Sequence, residues 1–252
     1  MMMPVMLKSF IISLCFMVSV QAKWDFKLEQ LARSYPTGFY LKANLGLSKK
    51  LWEKDPKVLY GYGRIAAEAQ TSFVVNSAKV LFDINPISFI NFFGGASKTN
   101  RNISNISSFS CELVTCRGKL NRSFYGSRIA IGAGSFFFMT EWKATNIELT
   151  TGNHLPFVDE LSSTLGSPNK DKLEQLTVAF GFKSFMSLSQ FNKMQNTQQE
   201  TQMHYLLYRK FFKESLELKV GPGFFESRES EKHFSVISLL TWSFSKAPLL
   251  AH

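Results

Sequence analysis

Over long stretches of this chain, polar and apolar residues alternate one by one. In residues 234–244, Phe234, Val236, Ser238, Leu240, Trp242 and Phe244 fall on one face, and Ser235, Ile237, Leu239, Thr241 and Ser243 fall on the other. In residues 38–48, Phe39, Leu41, Ala43, Leu45 and Leu47 oppose Gly38, Tyr40, Lys42, Asn44 and Gly46. A period of two marks a strand with one apolar face. Residues 58–70 repeat the pattern, with Leu59, Ile65, Ala67 and Ala69 against Tyr60, Tyr62, Arg64, Glu68 and Gln70. Charges such as Arg64 and Glu68 are costly in a dry core without partners and cheap in a hydrated interior.

Further strands are expected over 73–84, with Lys79 and Asp83 on the polar face, and over 87–98 after the break at Asn85-Pro86. Both faces of 87–98 are apolar, so its register stays open. Residues 123–133 place Arg128 inward. Residues 136–147 set Phe136, Phe138, Trp142 and Ala144 against Phe137, Glu141 and Lys143. Residues 173–188 form one long strand with Leu176, Val178, Phe180, Phe182 and Met186 outward and Lys183 inward. Strands at 203–212 and 216–225 follow, the second with Glu217 and Lys219 on its polar face and Pro222 near its end. The segments between are polar: 49–57, 99–121, 148–172 with a short helix over 158–165, 189–202 and 226–233. Residues 23–36 read as a lead-in, where Trp24, Leu28 and Leu31 have the spacing of a short amphipathic helix.

The count is ten strands. An even number puts both termini at one end, and ten puts the long segments 99–121 and 148–172 at that same end. Barrels in membranes carry their long loops at the opposite end. Eight or twelve strands therefore stay open.

Composition narrows the class. Residues 1–22 read as a cleaved signal peptide: one early cation, the apolar run 10–20, and a small-residue cleavage site ending at Ala22. The run is too short to span a bilayer as a helix. The full chain has 29 Lys and Arg against 19 acids, and loss of Lys8 leaves a net charge of +9. No compact basic run points to nucleic acid; an anionic lipid surface or anionic solute fits better. Cys111 and Cys116 are the only cysteines after the signal, and in an exported chain they point to a small-loop disulfide. Asn102, Asn105 and Asn121 begin Asn-x-Ser sequences, which an Asn/Ser-rich loop produces by composition. The 25 Phe, spread among so many polar residues, suit side chains that face lipid.

Strands of about ten residues, alternating in polarity, in an exported chain, predict an all-β fold: an antiparallel up-and-down transmembrane β-barrel over 37–244, with a tail at 245–252. The signal peptide, the alternating strands and a last strand bearing Trp242 and Phe244 resemble the bacterial outer-membrane β-barrel proteins as a broad class. The resemblance implies the bacterial outer membrane as location, its lipid as surroundings, and the barrel assembly machinery as a partner that reads the aromatic last strand. Many members stop at the terminal aromatic, whereas residues 245–252 follow Phe244 here. The last strand is expected to close the barrel against 38–48.

The expected lumen set is Lys42, Arg64, Lys79, Arg128, Lys143, Lys183 and Lys219 with Glu68, Asp83, Glu141 and Glu217, a mildly basic interior. A barrel this narrow is expected to be filled by ion pairs; an anion-preferring pore is the other reading of the same set. His154, His204, His233 and His252 lie at none of the spacings known for barrel enzymes, and Asp159-Glu160 reads as a solvated helix turn. No metal-ligand spacing and no cofactor motif stand out. The functional expectation is a non-enzymatic barrel, structural or passing small solutes. An outer-membrane hydrolase acting on lipid or peptide and a secreted lipocalin-like binder are the alternatives.

Overall fold

The computed structural model describes residues 22–55, 59–104, 109–150, 154–213, 215–228 and 230–244. The signal segment 1–21, the tail 245–252 and the Asn105 sequence lie outside them. Fourteen strands are described: β1 (Lys23–Arg33), β2 (Gly38–Asp55), β3 (Leu59–Thr71), β4 (Val75–Ile87), β5 (Ile90–Asn102), β6 (Arg117–Ala133), β7 (Phe136–Leu149), β8 (Phe157–Asp159), β9 (Thr164–Gly166), β10 (Lys170–Phe182), β11 (Phe185–Met194), β12 (Glu200–Lys213), β13 (Leu216–Ser227) and β14 (Ser230–Ser243). Twelve form one closed antiparallel barrel in the order β1-β14-β13-β12-β11-β10-β7-β6-β5-β4-β3-β2, and β8 and β9 form a separate hairpin.

Twelve replaces the expected ten for two reasons. The lead-in is a strand: in β1, Trp24, Phe26 and Leu28 alternate with Asp25, Lys27 and Glu29, and β1 pairs along its whole length with β2. The supposed strand 173–188 is two strands, because the chain reverses at residues 183–184. Lys183 takes a left-handed φ of 53° in that turn. No Gly or Pro announces the reversal. It moves Met186 from the outer face to the lumen, opposite Gly181, and carries β11 through what read as a polar loop.

The extra first strand also resolves the sidedness of the loops. The connections 56–58, 88–89, 134–135, 183–184 and 214–215 are short and share an end with both termini. The long connections 103–116 and 150–169 lie at the other end, as membrane barrels require. The last strand closes the ring on β1, not on 38–48: Leu28 faces Trp242 and Arg33 faces Ile237.

The outer face is apolar. Leu45, Ile65, Phe82, Phe92, Ile131, Phe138, Phe180, Leu206, Phe224 and Phe234 all stand exposed around the ring. In water this would be an aggregating surface. Against hydrocarbon it is the expected one, and closure leaves no backbone edge unpaired. Trp242 and Phe244 stack outside at 5 Å scale, with ring centroids 4.6 Å apart. The fold is that of a transmembrane β-barrel.

Candidate functional site: the lumen

Inward positions carry the charge, and the register decides which charges meet. Arg64 on β3 stands beside Ser48 on β2 and Asp83 on β4. Its guanidinium grips Asp25 with both nitrogens, Nη2 to Oδ1 at 2.5 Å and Nε to Oδ2 at 3.0 Å, and reaches Asp83 Oδ2 at 3.4 Å. The same Nη2 donates to Asn44 Oδ1 at 2.5 Å. Gly46 makes this possible, because a Cβ there would overlap the Arg64 guanidinium. Lys79 binds Glu68 at 2.7 Å, and Lys42 binds Glu29, which Lys27 also holds at 2.9 Å. Ion pairs therefore fill much of the interior along β2–β4 and the first half of β1, while Leu31 and Arg33 at the loop end of β1 still border open space.

The opposite side is open. A cavity of about 1210 Å³ is lined at the loop end by Arg33, Pro36 and Ser72, and at the turn end by Phe211, Ser215 and Ser243. Arg209, Glu217 and Lys219 form one ion cluster on its wall, and Arg128 binds Glu141 at 2.5 Å. Two cations facing the cavity have no carboxylate within salt-bridge distance among the described residues. Lys143 lies over the Phe124 ring, 5.3 Å from its centroid. Arg33 donates from Nε to the Pro36 carbonyl at 2.9 Å and from Nη1 to the Met203 sulfur at 3.1 Å.

Residues 157–166 of the connection after β7 fold inward and narrow this space. The β8–β9 hairpin replaces the helix expected over 158–165, and Asp159 is buried, not solvated. Arg122 on β6 reaches Asp159 Oδ1 at 2.9 Å and Glu160 Oε1 at 2.8 Å. Arg101 on β5 donates to the Val158 carbonyl at 2.5 Å. On the far wall, the Thr201 hydroxyl donates to the Ser162 carbonyl at 2.9 Å. Phe157 is fully buried among Leu120, Ile147, Leu149, Leu173 and Met194. Burial pushes the Asp159 carboxyl up; the Arg122 charge and the hydrogen bonds from Ser162 more than offset it and hold it below the usual carboxylate range. The other long connection packs on the hairpin: Cys111 and Cys116 are disulfide-bonded, Cα to Cα 5.5 Å, and Cys116 and Val114 cluster with Val158.

Of the expected lumen residues, Lys42, Arg64, Glu68, Lys79, Asp83, Arg128, Glu141, Lys143, Glu217 and Lys219 all sit on inward positions. Lys183 does not: it is exposed in the β10–β11 turn, beside the Phe182 ring. Arg33, Arg101 and Arg122 were missed. Arg122 continues the inward series of Phe124, Gly126 and Arg128, so an earlier start for that strand would have exposed it. His204 points outward and shares a hydrogen bond with Ser189 at 2.9 Å, His154 is exposed, and His233 stacks on Tyr35; His252 lies outside the described residues. Among the described residues no three His, Cys, Asp or Glu side chains come together as a metal site.

A closed barrel with an apolar exterior, a charged interior and an infolded loop is the class that fold and site define. No family model and no curated protein sequence matches the chain. Solved barrels resemble it in outline. The KdgM porin aligns at 10% identity over 88% of this chain and 99% of its own, with a TM-score of 0.44. The beta domain of the Bordetella autotransporter BrkA aligns at 9% over 89% and 99%, with a TM-score of 0.41. The CymD monoaromatic hydrocarbon channel aligns at 9% over 95% and 92%, with a TM-score of 0.36. Likeness at this level says nothing about what this chain carries.

Proposed function

We propose that the chain is a channel of the bacterial outer membrane that passes small solutes, anions ahead of cations. The observation that carries this reading is the cavity of about 1210 Å³, bounded by residues from both ends of the barrel, with Arg33 and Lys143 facing it unmatched by acid. Unpaired fixed charge in a narrow water-filled passage raises the local concentration of counter-ions. The long loops face the exterior and the termini face the periplasm, the usual arrangement of such barrels. Strand β14, with Trp242 and Phe244, serves as the signal read by the barrel assembly machinery. The lumen set named from the sequence, less Lys183, lines or braces the passage.

The test is single-channel recording in a planar bilayer under a potassium chloride gradient. Discrete openings with a reversal potential on the chloride side are expected. A refolded, heat-modifiable barrel that carries no current would overturn the channel reading, and a potassium-side reversal would overturn the anion preference.

A further inference from the structure

The cavity wall is not uniformly polar. On β11 to β14, Leu188, Tyr205, Leu207, Ile237 and Leu239 face the lumen, joined by Leu31 from β1. Tyr205, Leu207, Met203 and Phe225 are buried as one cluster, with Leu188 and Ile237 packed against it. Water gains nothing from this surface, and an apolar wall in a passage for hydrated ions costs free energy without return. The cation lies at its edge. Arg33 and Ile237 are direct register partners across the β1–β14 seam, and the Arg33 guanidinium touches the Met203 sulfur. A guanidinium carries five donors. Here one goes to a backbone carbonyl and one to a thioether, which is a weak acceptor. A third turns to the Tyr205 hydroxyl, a neutral acceptor, and none of the described carboxylates pairs with the guanidinium, which leaves donors toward the cavity for an anionic acceptor.

We infer that the solute is an amphipathic carboxylate, with its carboxylate on Arg33 and its hydrocarbon body along Leu188, Tyr205, Leu207 and Ile237. This deepens the channel reading and rests on it. A planar carboxylate matches the guanidinium fork, and burial of each methylene on the adjacent wall adds to binding. Gln175, Thr177 and Gln190 on β10 and β11 also line the cavity and give a polar side along which the bound solute can stay hydrated. Inorganic anions use the cation but gain nothing from the apolar wall; neutral hydrocarbons gain from the wall but leave the guanidinium unanswered.

The test measures block of the chloride current by hexanoate, acetate and hexanol in the same planar bilayer. Hexanoate is expected to halve the current at a concentration at least about tenfold below acetate, since each methylene adds close to fourfold, and well below hexanol. Arg33→Gln is expected to weaken hexanoate block by about tenfold or more, the loss of a charge-assisted bond. Leu207→Asn is expected to bring hexanoate down toward acetate while acetate block stays unchanged. Heat-modifiable mobility and an unblocked chloride current show that each variant is folded and open. Equal block by hexanoate and acetate, or block by hexanol equal to hexanoate, would overturn the inference while leaving the channel intact. Absence of current altogether would strike the channel reading instead.

Discussion

Arg122 and Asp159 join the barrel wall to the inserted hairpin, with Nη2 and Oδ1 2.9 Å apart and both side chains nearly sealed from solvent. Loss of one partner leaves a buried charge uncompensated, a cost of about 3–5 kcal/mol. Arg122→Met is therefore expected to release the hairpin without opening the ring. Larger and noisier single-channel conductance, with heat-modifiable mobility retained, is the expected record. An unchanged conductance would show that Phe157 with its apolar neighbours and the Arg101 and Thr201 hydrogen bonds hold the hairpin without Arg122.

The same pair sets a pH dependence. The folded Asp159 carboxyl titrates below its ordinary range. Its contribution is complete above the unfolded value of about 3.9 and is lost as pH falls through the lower folded value. Conductance is expected to hold steady from neutral pH to about 4 as far as this group is concerned, and to rise below that. In Asp159→Asn that acid transition should be missing when the same titration is recorded.

Glycines in the strands differ sharply in what they permit. A Cβ on Gly223 would fall on the His204 carbonyl oxygen and the Tyr205 ring, whereas on Gly132 its nearest neighbour is the Phe136 carbonyl oxygen at 3.7 Å. Gly223→Ala is expected to destabilise the barrel by about 1–3 kcal/mol, the usual range for overpacking, and Gly132→Ala to be near neutral. Urea unfolding in a lipid-like detergent separates them.

Phe82 is half-exposed at mid-strand on β4, in the centre of the apolar belt. If that belt faces hydrocarbon, Phe82→Arg costs about 2–4 kcal/mol. The same substitution at Phe73, exposed in the β3–β4 turn at the loop end, should cost much less. Equal stability of the two variants in folding titrations into bilayers would argue against a membrane at the height of Phe82.

The alternation of side chains made most of the ring legible, because a period of two survives wherever one face meets lipid and the other meets charge. It failed where a second pattern overlay it. In residues 23–33, Trp24, Leu28 and Leu31 mimic helical spacing, although Asp25, Lys27 and Glu29 already alternate with Trp24, Phe26 and Leu28. At Lys183-Ser184 the chain turns without Gly, Pro, Asn or Asp, and a lone Ser is too common to mark the reversal. Strand parity puts ten of the eleven named charges on one side of the wall, and Lys183 drops out because the strand it was assigned to turns there. Their partners were not legible: Arg64 meets Asp25 across 39 positions and Arg122 meets Asp159 across 37, distances that only the closed register defines. The open half of the lumen was equally hidden, because it depends on which side the ion pairs fill.

Strand β1 is hydrogen-bonded to β2 on one side and to β14 on the other. The second edge of β1 is thus covered only by β14, the strand farthest from it in sequence among those of the ring. Until residues 230–243 arrive, every partial sheet offers two raw borders to whatever strand is nearest, including those of other chains. A copy that ends before residue 230 keeps both borders and is expected to aggregate instead of forming a smaller barrel.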